Sequence, residues 1–229
     1  MKIEILQLLE GARKATGLAV IIDVFRAFST VCYAIDRGVG PVYPVGSIED
    51  AFHLKNTYPE AMLVGERNER KPDGFDFGNS PSHILESDIK GQTIVHTTSS
   101  GTQGIVNARN ADQIITGSFV NAGAIVRYIR KLNPGNVSLV CMGYACLYPT
   151  DEDTFCAEYI RNELLGRPSP WETMQEVIRQ GTGARFFEPE SQAWAPSSDY
   201  DLCLQRNIFD FVLKAEKGNG NFVLKKINV

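Results

Sequence analysis

Two periodicities run through the chain. Short unbroken apolar stretches, the clearest being LAVIID at residues 18–23, end on small or polar residues, and most are followed by segments in which apolar residues return every three or four positions. Unbroken runs of this length read as strands buried on both faces of a parallel sheet, and the wider spacing reads as the helices that cover it. The pattern predicts an opening strand at 2–7, strands at 18–23, 41–45 and 61–65, a strand that opens TIVHTTSSGTQG at 93–104, and strands at 113–117 and 137–143. Helices are predicted over 27–37, where Phe28, Val31, Cys32 and Ile35 share a side and Gly38 stops the run, from Ser47 to Asn56, and from Pro81 behind a cap at Asn79, Ser80 or both. Others begin after the hydroxyl run near 102, at Asn121 with Pro134 and Gly135 as breakers, behind Asp151 with Phe155, Tyr159, Ile160 and Leu164, and over 170–180 and 200–207. Residues 181–198 read as turns, and FDFVLK (209–214) and NFVLKKI (221–227), joined through GNGN, predict an antiparallel hairpin. The expected fold is α/β: one domain over 1–229, a three-layer α/β/α arrangement with a mostly parallel mixed sheet and a C-terminal hairpin.

Composition narrows the function. The 229 residues, 43% hydrophobic and 22% charged, suffice for a substantial core. A net charge of -4 and a pI near 5.5 give no basic surplus for nucleic acid or an anionic membrane, so neither is an expected partner. No apolar run spans a bilayer and the first residues lack a signal core, which makes a soluble cytoplasmic protein the expectation. The five cysteines are odd in number, form no CxxC pair and have no arginine six positions on, which argues against a disulfide framework, a zinc knuckle and a Cys-x5-Arg phosphatase loop. Self-association into a homo-oligomer stays open.

Polar residues crowd the carboxyl ends of the predicted strands, where α/β proteins build their sites. Asp23, Arg26, Ser29 and Thr30 follow the 18–23 strand. Asp23 reads either as a helix cap or as a site acid, and Arg26, a cation at a helix start, calls for an anion nearby. Residues 64–80, VGERNERKPDGFDFGNS, mix Glu66, Arg67, Glu69, Arg70, Lys71, Asp73 and Asp76 with turn residues and two anchoring phenylalanines, so the stretch is a working loop or a solvated connection, with 69–73 expected to be mostly solvated. TTSSGT at 97–102 offers hydroxyls and a glycine, either a phosphate cradle or a helix cap. Asp151, Glu152 and Asp153 fit a first helical turn, with Thr150 and Asp153 as a capping box, or a magnesium site. His96 reads as a core histidine and His83 as a surface one.

IDVFRAFST, VGERN, GFDFGNSP, TTSSGT, GSFVNA and EDTFCAE, in that order, resemble the 2-phosphosulfolactate phosphatase family over residues 15–165, with DYDLC extending the likeness towards the end. The resemblance implies a Mg²⁺-dependent enzyme that removes phosphate from (2R)-2-phospho-3-sulfolactate to give 3-sulfolactate in coenzyme M synthesis. It implies catalytic roles for Asp23, Arg26, Glu66, Arg67 and Asp153, substrate contacts from Ser29, Thr30, Asn68, Asn79, Ser80, Thr98, Ser100, Gly101 and Thr102, and metal ligands among Asp23, Glu66, Glu152 and Asp153. Asp76 falls in the same motifs. The implied partner is a small anionic phosphomonoester, for which guanidinium forks and a cation are apt. Two departures, the bulky YACLYPT loop before Glu152 and Ser100 in place of a common asparagine, bear on the acceptor pocket. A non-catalytic sensor or binding module for a phosphorylated small acid is the alternative.

Overall fold

A computed structural model describes residues 1–218 and 220–229. Among them, nine strands form one sheet in the order β1-β7-β2-β6-β8-β9-β3-β5-β4. The first parallel set is β1 (Lys2–Gln7), β7 (Asn136–Cys141), β2 (Gly17–Ile22) and β6 (Ala111–Gly117). The second is β3 (Val42–Pro44), β5 (Ile94–Thr97) and β4 (Met62–Gly65). The hairpin of β8 (Phe211–Gly218) and β9 (Asn221–Asn228) lies between them and pairs antiparallel with β6 on one side and β3 on the other. The sheet is therefore mostly parallel and mixed, as expected, but the hairpin is its splice and not an appendage. Asn219, inside the GNGN junction, lies outside the described residues.

Strand β2 shows why an unbroken apolar run was needed. Ala19 and Ile21 point into a core shared with α1 (Leu8–Lys14), α2 (Ala27–Asp36) and α5 (Gly101–Asn107), while Leu18, Val20 and Ile22 point into a second core under α6 (Ala122–Leu132), α7 (Asp151–Leu165) and α8 (Trp171–Gln180). A strand with helices on both faces has no wet side, so period-two alternation is lost. A third, smaller core joins α3 (Ile48–Thr57) to β4 and β5 through Ala51, Leu54, Leu63 and Val95. No helix among the described residues is long and apolar enough to cross a membrane.

The structure moves several expected elements. The helix read at 200–207 is α9 (Ser197–Leu204), and the strand read at 209–214 begins at Phe211. Helix α1 was not expected: it is short, lacks a side-chain cap and starts at Leu8 with a φ of 62°. Thr150 makes no capping bond to α7, and the Asp153 carboxylate, instead of closing a capping box, accepts the N–H groups of Val24 and Gly143 just past β2 and β7. The cap expected of Asn121 belongs instead to Ser118, with Asn121 as the reciprocal partner of the box.

Helix α5 sits so close to β2 that Gly104 is its contact point. A Cβ there would overlap Ile21 Cγ2 and lie 2.7 Å from Met142 Sδ. Gly104→Ala is expected to destabilise the fold by about 1–3 kcal/mol through overpacking, measurable as a lower urea midpoint; an unchanged midpoint would mean that the helix is free to slide.

Candidate active site

The chain segments leaving β2, β4, β5 and β7 converge, and with Arg185 they enclose a cleft of about 40 Å³. Asp23 lies at its floor. Its Oδ1 accepts the Ala27 N–H at 3.1 Å, so it does cap α2, while a Cβ on Gly101 would come within 2.9 Å of Oδ2. Any side chain at 101 would press on that carboxylate, which explains a glycine at the end of the hydroxyl run.

Glu66, just past β4, joins the charged loop to the hydroxyl run. It accepts the Ser99 N–H at 2.7 Å, the Ser99 hydroxyl at 3.1 Å and the Glu69 N–H at 2.9 Å. Asn68 and Glu69 form the tip of this turn with left-handed φ values of 50° and 68°, closed by reciprocal Arg67–Arg70 backbone bonds of 2.9 and 3.1 Å. Both tip residues line the cleft. Ser100 donates its hydroxyl to Gly143 O at 2.7 Å and accepts the Cys146 N–H at 3.1 Å, fastening the YACLYPT loop, whose Tyr144 forms one wall. Asn79, buried, presents Oδ1 to His96 Nε2 at 3.3 Å, and burial together with the Arg67 charge pushes that imidazole down to about 3. His96 is a neutral core histidine.

The anion that Arg26 called for comes from α9. Arg26 Nη1 donates to Asp199 Oδ2 at 2.8 Å and to Trp194 O at 2.5 Å, and Nη2 donates to Glu69 O at 3.2 Å. Asp199 is fully buried, and its Oδ1 accepts from the Ser80 hydroxyl at 2.9 Å, the Ser82 hydroxyl at 2.6 Å and the Ser82 N–H at 3.0 Å. A second cation, Arg185, reaches the cleft from the segment at 184–187, with its Nε 3.2 Å from Glu69 Oε1. Sequence reasoning missed Arg185 and Glu69. The available signal was Phe186-Phe187, an aromatic pair beside an arginine in a turn-rich stretch, the same kind of anchor noted at Phe75 and Phe77. Glu69 is thus half-buried and paired, and Arg70 stacks over Trp194 at 4.1 Å, whereas Lys71 and Asp73 are solvated as expected.

Of the residues singled out from sequence, the cleft gathers Asp23, Arg26, Glu66, Asn68, Asn79 and Ser100. The others stand behind it or face elsewhere. Arg67 gives its guanidinium to Glu66 O, Thr97 Oγ1 and Gly46 O and lines a neighbouring hollow. Ser29 binds Val24 O and Ser118, Thr30 is buried on α2, and Thr98 and Thr102 cap one another. Ser80 supports Asp199, and Asp76 fixes its loop by accepting the Leu63 N–H at 2.7 Å. Asp153 accepts the Val24 and Gly143 N–H groups, both at 2.8 Å, and so clamps the ends of β2 and β7 together. Glu152 accepts the Thr182 hydroxyl.

These acids repel one another. Burial, with Glu66 and Glu152 nearby, pushes Asp23 up to about 7 against the help of the Ala27 and Gly101 N–H groups. Burial and the charges of Glu152 and Asp23 hold Asp153 well above the usual carboxylate range, and burial raises Glu152. Desolvated carboxylates beside a cleft favour a cation. Among the described residues no three acids, histidines or cysteines are arranged to ligate one together. Asp23 and Glu66 nonetheless fit magnesium, which takes one or two carboxylates and completes its shell with water and phosphate oxygens. Asp153 and Glu152 do not line the cleft.

A cleft at the strand ends of an α/β sheet, with three acids and two guanidinium groups around it, one acid and one guanidinium paired as Glu69 and Arg185, defines an enzyme for a small polar substrate. The chain belongs to the 2-phosphosulfolactate phosphatase family, whose description matches residues 3–218, and so to the phosphoric monoester hydrolases. A relative from Thermotoga petrophila, called a probable 2-phosphosulfolactate phosphatase, is 45% identical over 217 residues, covering 91% of this chain and 92% of its own. One of the same description from Carboxydothermus hydrogenoformans is 42% identical over 237 residues, covering 98% of each.

Two outcomes are expected. Asp199→Asn leaves Arg26 buried without its counter-charge and should cost about 3–5 kcal/mol in urea unfolding; a loss below about 1 kcal/mol would show that Arg26 finds water or another acid. For Asp23, the folded state holds its proton more tightly than the unfolded chain, so stability falls as pH rises from 3.8 towards about 7. With no divalent cation added, the stability advantage of Asp23→Asn over the parent should therefore grow across that window, by roughly 1.4 kcal/mol per pH unit at most. A constant difference across the window would contradict it.

Proposed function

We propose that this chain is a magnesium-dependent phosphatase for (2R)-2-phospho-3-sulfolactate or a closely similar acidic phosphomonoester, acting in the cytoplasm on the route to coenzyme M. The reaction adds water across the ester: the bond from phosphorus to the C2 oxygen breaks, and that oxygen leaves with a proton as the hydroxyl of 3-sulfolactate. The observation that carries the reading is the meeting of Asp23 and Glu66 with Arg26 and Arg185 around one cleft.

Asp23 and Glu66 are the residues that would hold magnesium, which when bound supplies positive charge to the phosphoryl oxygens. Arg26 is fixed before substrate arrives, because Asp199 and two backbone carbonyls hold its guanidinium. Preorganised donors stabilise developing charge without reorganising during the reaction. Asn79, with Oδ1 turned to His96, lines the cleft together with Ser99 and Ser100 and offers its amide to a bound phosphoester. Phe25 and Tyr144 form the aromatic side of the cleft.

Phosphate release from 2-phosphosulfolactate is the test. EDTA should lower the rate at least about 100-fold and added Mg²⁺ should restore it, while Asp23→Asn should stay inactive at any Mg²⁺ concentration. Turnover unaffected by chelation would remove the metal from the reading.

A further inference from the structure

We infer that Arg185 is the specificity residue of this cleft, reading the acidic group that the substrate keeps after phosphate has left; the inference rests on the phosphatase reading above. Three arginines lie near the site and differ in what their side chains already do. Arg67 gives its amino groups to Glu66 O, Thr97 Oγ1 and Gly46 O and opens on another hollow. Arg26 gives Nη1 to Asp199 and Trp194 O and Nη2 to Glu69 O. Arg185 is paired through Nε, 3.2 Å from Glu69 Oε1, and its charge also favours the ionised form of buried Glu152, but among the described residues Nη1 and Nη2 donate to no protein acceptor.

Arg185 lines the cleft, and the outer edge of its fork is not taken by a protein acceptor among the described residues. That edge presents two parallel N–H groups, the arrangement that pairs with both oxygens of a carboxylate or two of a sulfonate. The guanidinium carbon lies 5.1 Å from the Phe186 ring centre and 5.8 Å from those of Phe25 and Tyr144, so aromatic faces hold the group and shield it from part of the solvent. Glu69 connects this fork to the rest of the site: its carboxylate holds Arg185, its carbonyl accepts from Arg26 and its N–H donates to Glu66.

The experiment compares kcat/KM of the parent, Arg185→Gln and Arg185→Lys for three esters: 2-phosphosulfolactate, 2-phospholactate, which lacks the sulfonate, and glycerol 2-phosphate, which lacks both acids. Arg185→Gln should reduce the parent's preference for 2-phosphosulfolactate over glycerol 2-phosphate by roughly 30- to 100-fold, with Arg185→Lys between the two. If the preference for 2-phospholactate falls as far, the fork reads the carboxylate; if it does not, the fork reads the sulfonate, and either result supports the inference. An equal loss on all three esters, or none, overturns it. Calorimetric titration with 3-sulfolactate separates this from failure of the phosphatase reading. Should the parent hydrolyse none of the esters, binding that weakens at least about 30-fold in Arg185→Gln still supports the recognition role, and equal or absent binding by both proteins overturns it. Thermal melting of each variant confirms that the fold is intact.

Discussion

The buried pair of Arg26 and Asp199 is the interaction on which the cleft depends. Two charges out of water are costly, and the cost is offset only when each is fully hydrogen-bonded. Here Asp199 accepts from Arg26, Ser80 and Ser82, and Arg26 also reaches Trp194 O and Glu69 O. One ion pair thus joins the start of α2, the start of α4 (Pro81–Leu85), the tip of the charged loop and α9, and α2, α4 and α9 also share apolar packing through Phe28, Ile84 and Leu202. The polar geometry adds direction to that packing by fixing where the guanidinium points.

Charge of the opposite sign is arranged differently. Glu69 has Arg185 as its counter-charge, but Asp23 and, behind the cleft, Asp153 are answered by backbone N–H groups, and Glu66 by Ser99 and Glu69 donors. Hydrogen bonds favour the charged form, while burial and mutual repulsion oppose it, and for Asp23 the opposition prevails. At Asp23 the balance therefore tips towards the proton.

Much of this was legible in the sequence because it was local. LAVIID announced a doubly buried strand, and its closing Asp23 marked a site because strand ends are where loops converge. Glu66, Asn79 and Ser100 stood in loops with their own turn chemistry. What was not legible depended on partners far along the chain. Asp153 looked like a cap or a ligand, but its N–H donors come from residues 24 and 143. Arg67 carried the right charge in the right motif, and only the path of its side chain turns it away. Arg185 sits in a stretch with no periodicity to read. The hairpin was visible as a hairpin; its place between two parallel sets was not, since neither flanking strand is its neighbour in sequence.

That place bears on the order in which the molecule is made. Two sets of parallel strands are completed early along the chain, yet the ribbon that joins them is drawn from residues 211–228. Until those residues have been synthesised, β6 and β3 both carry open edges, so the growing chain exposes two unfinished sheets to its neighbours. The last strands act as a closing seam, and a ribosome pausing before them would hold the protein in its most adhesive form.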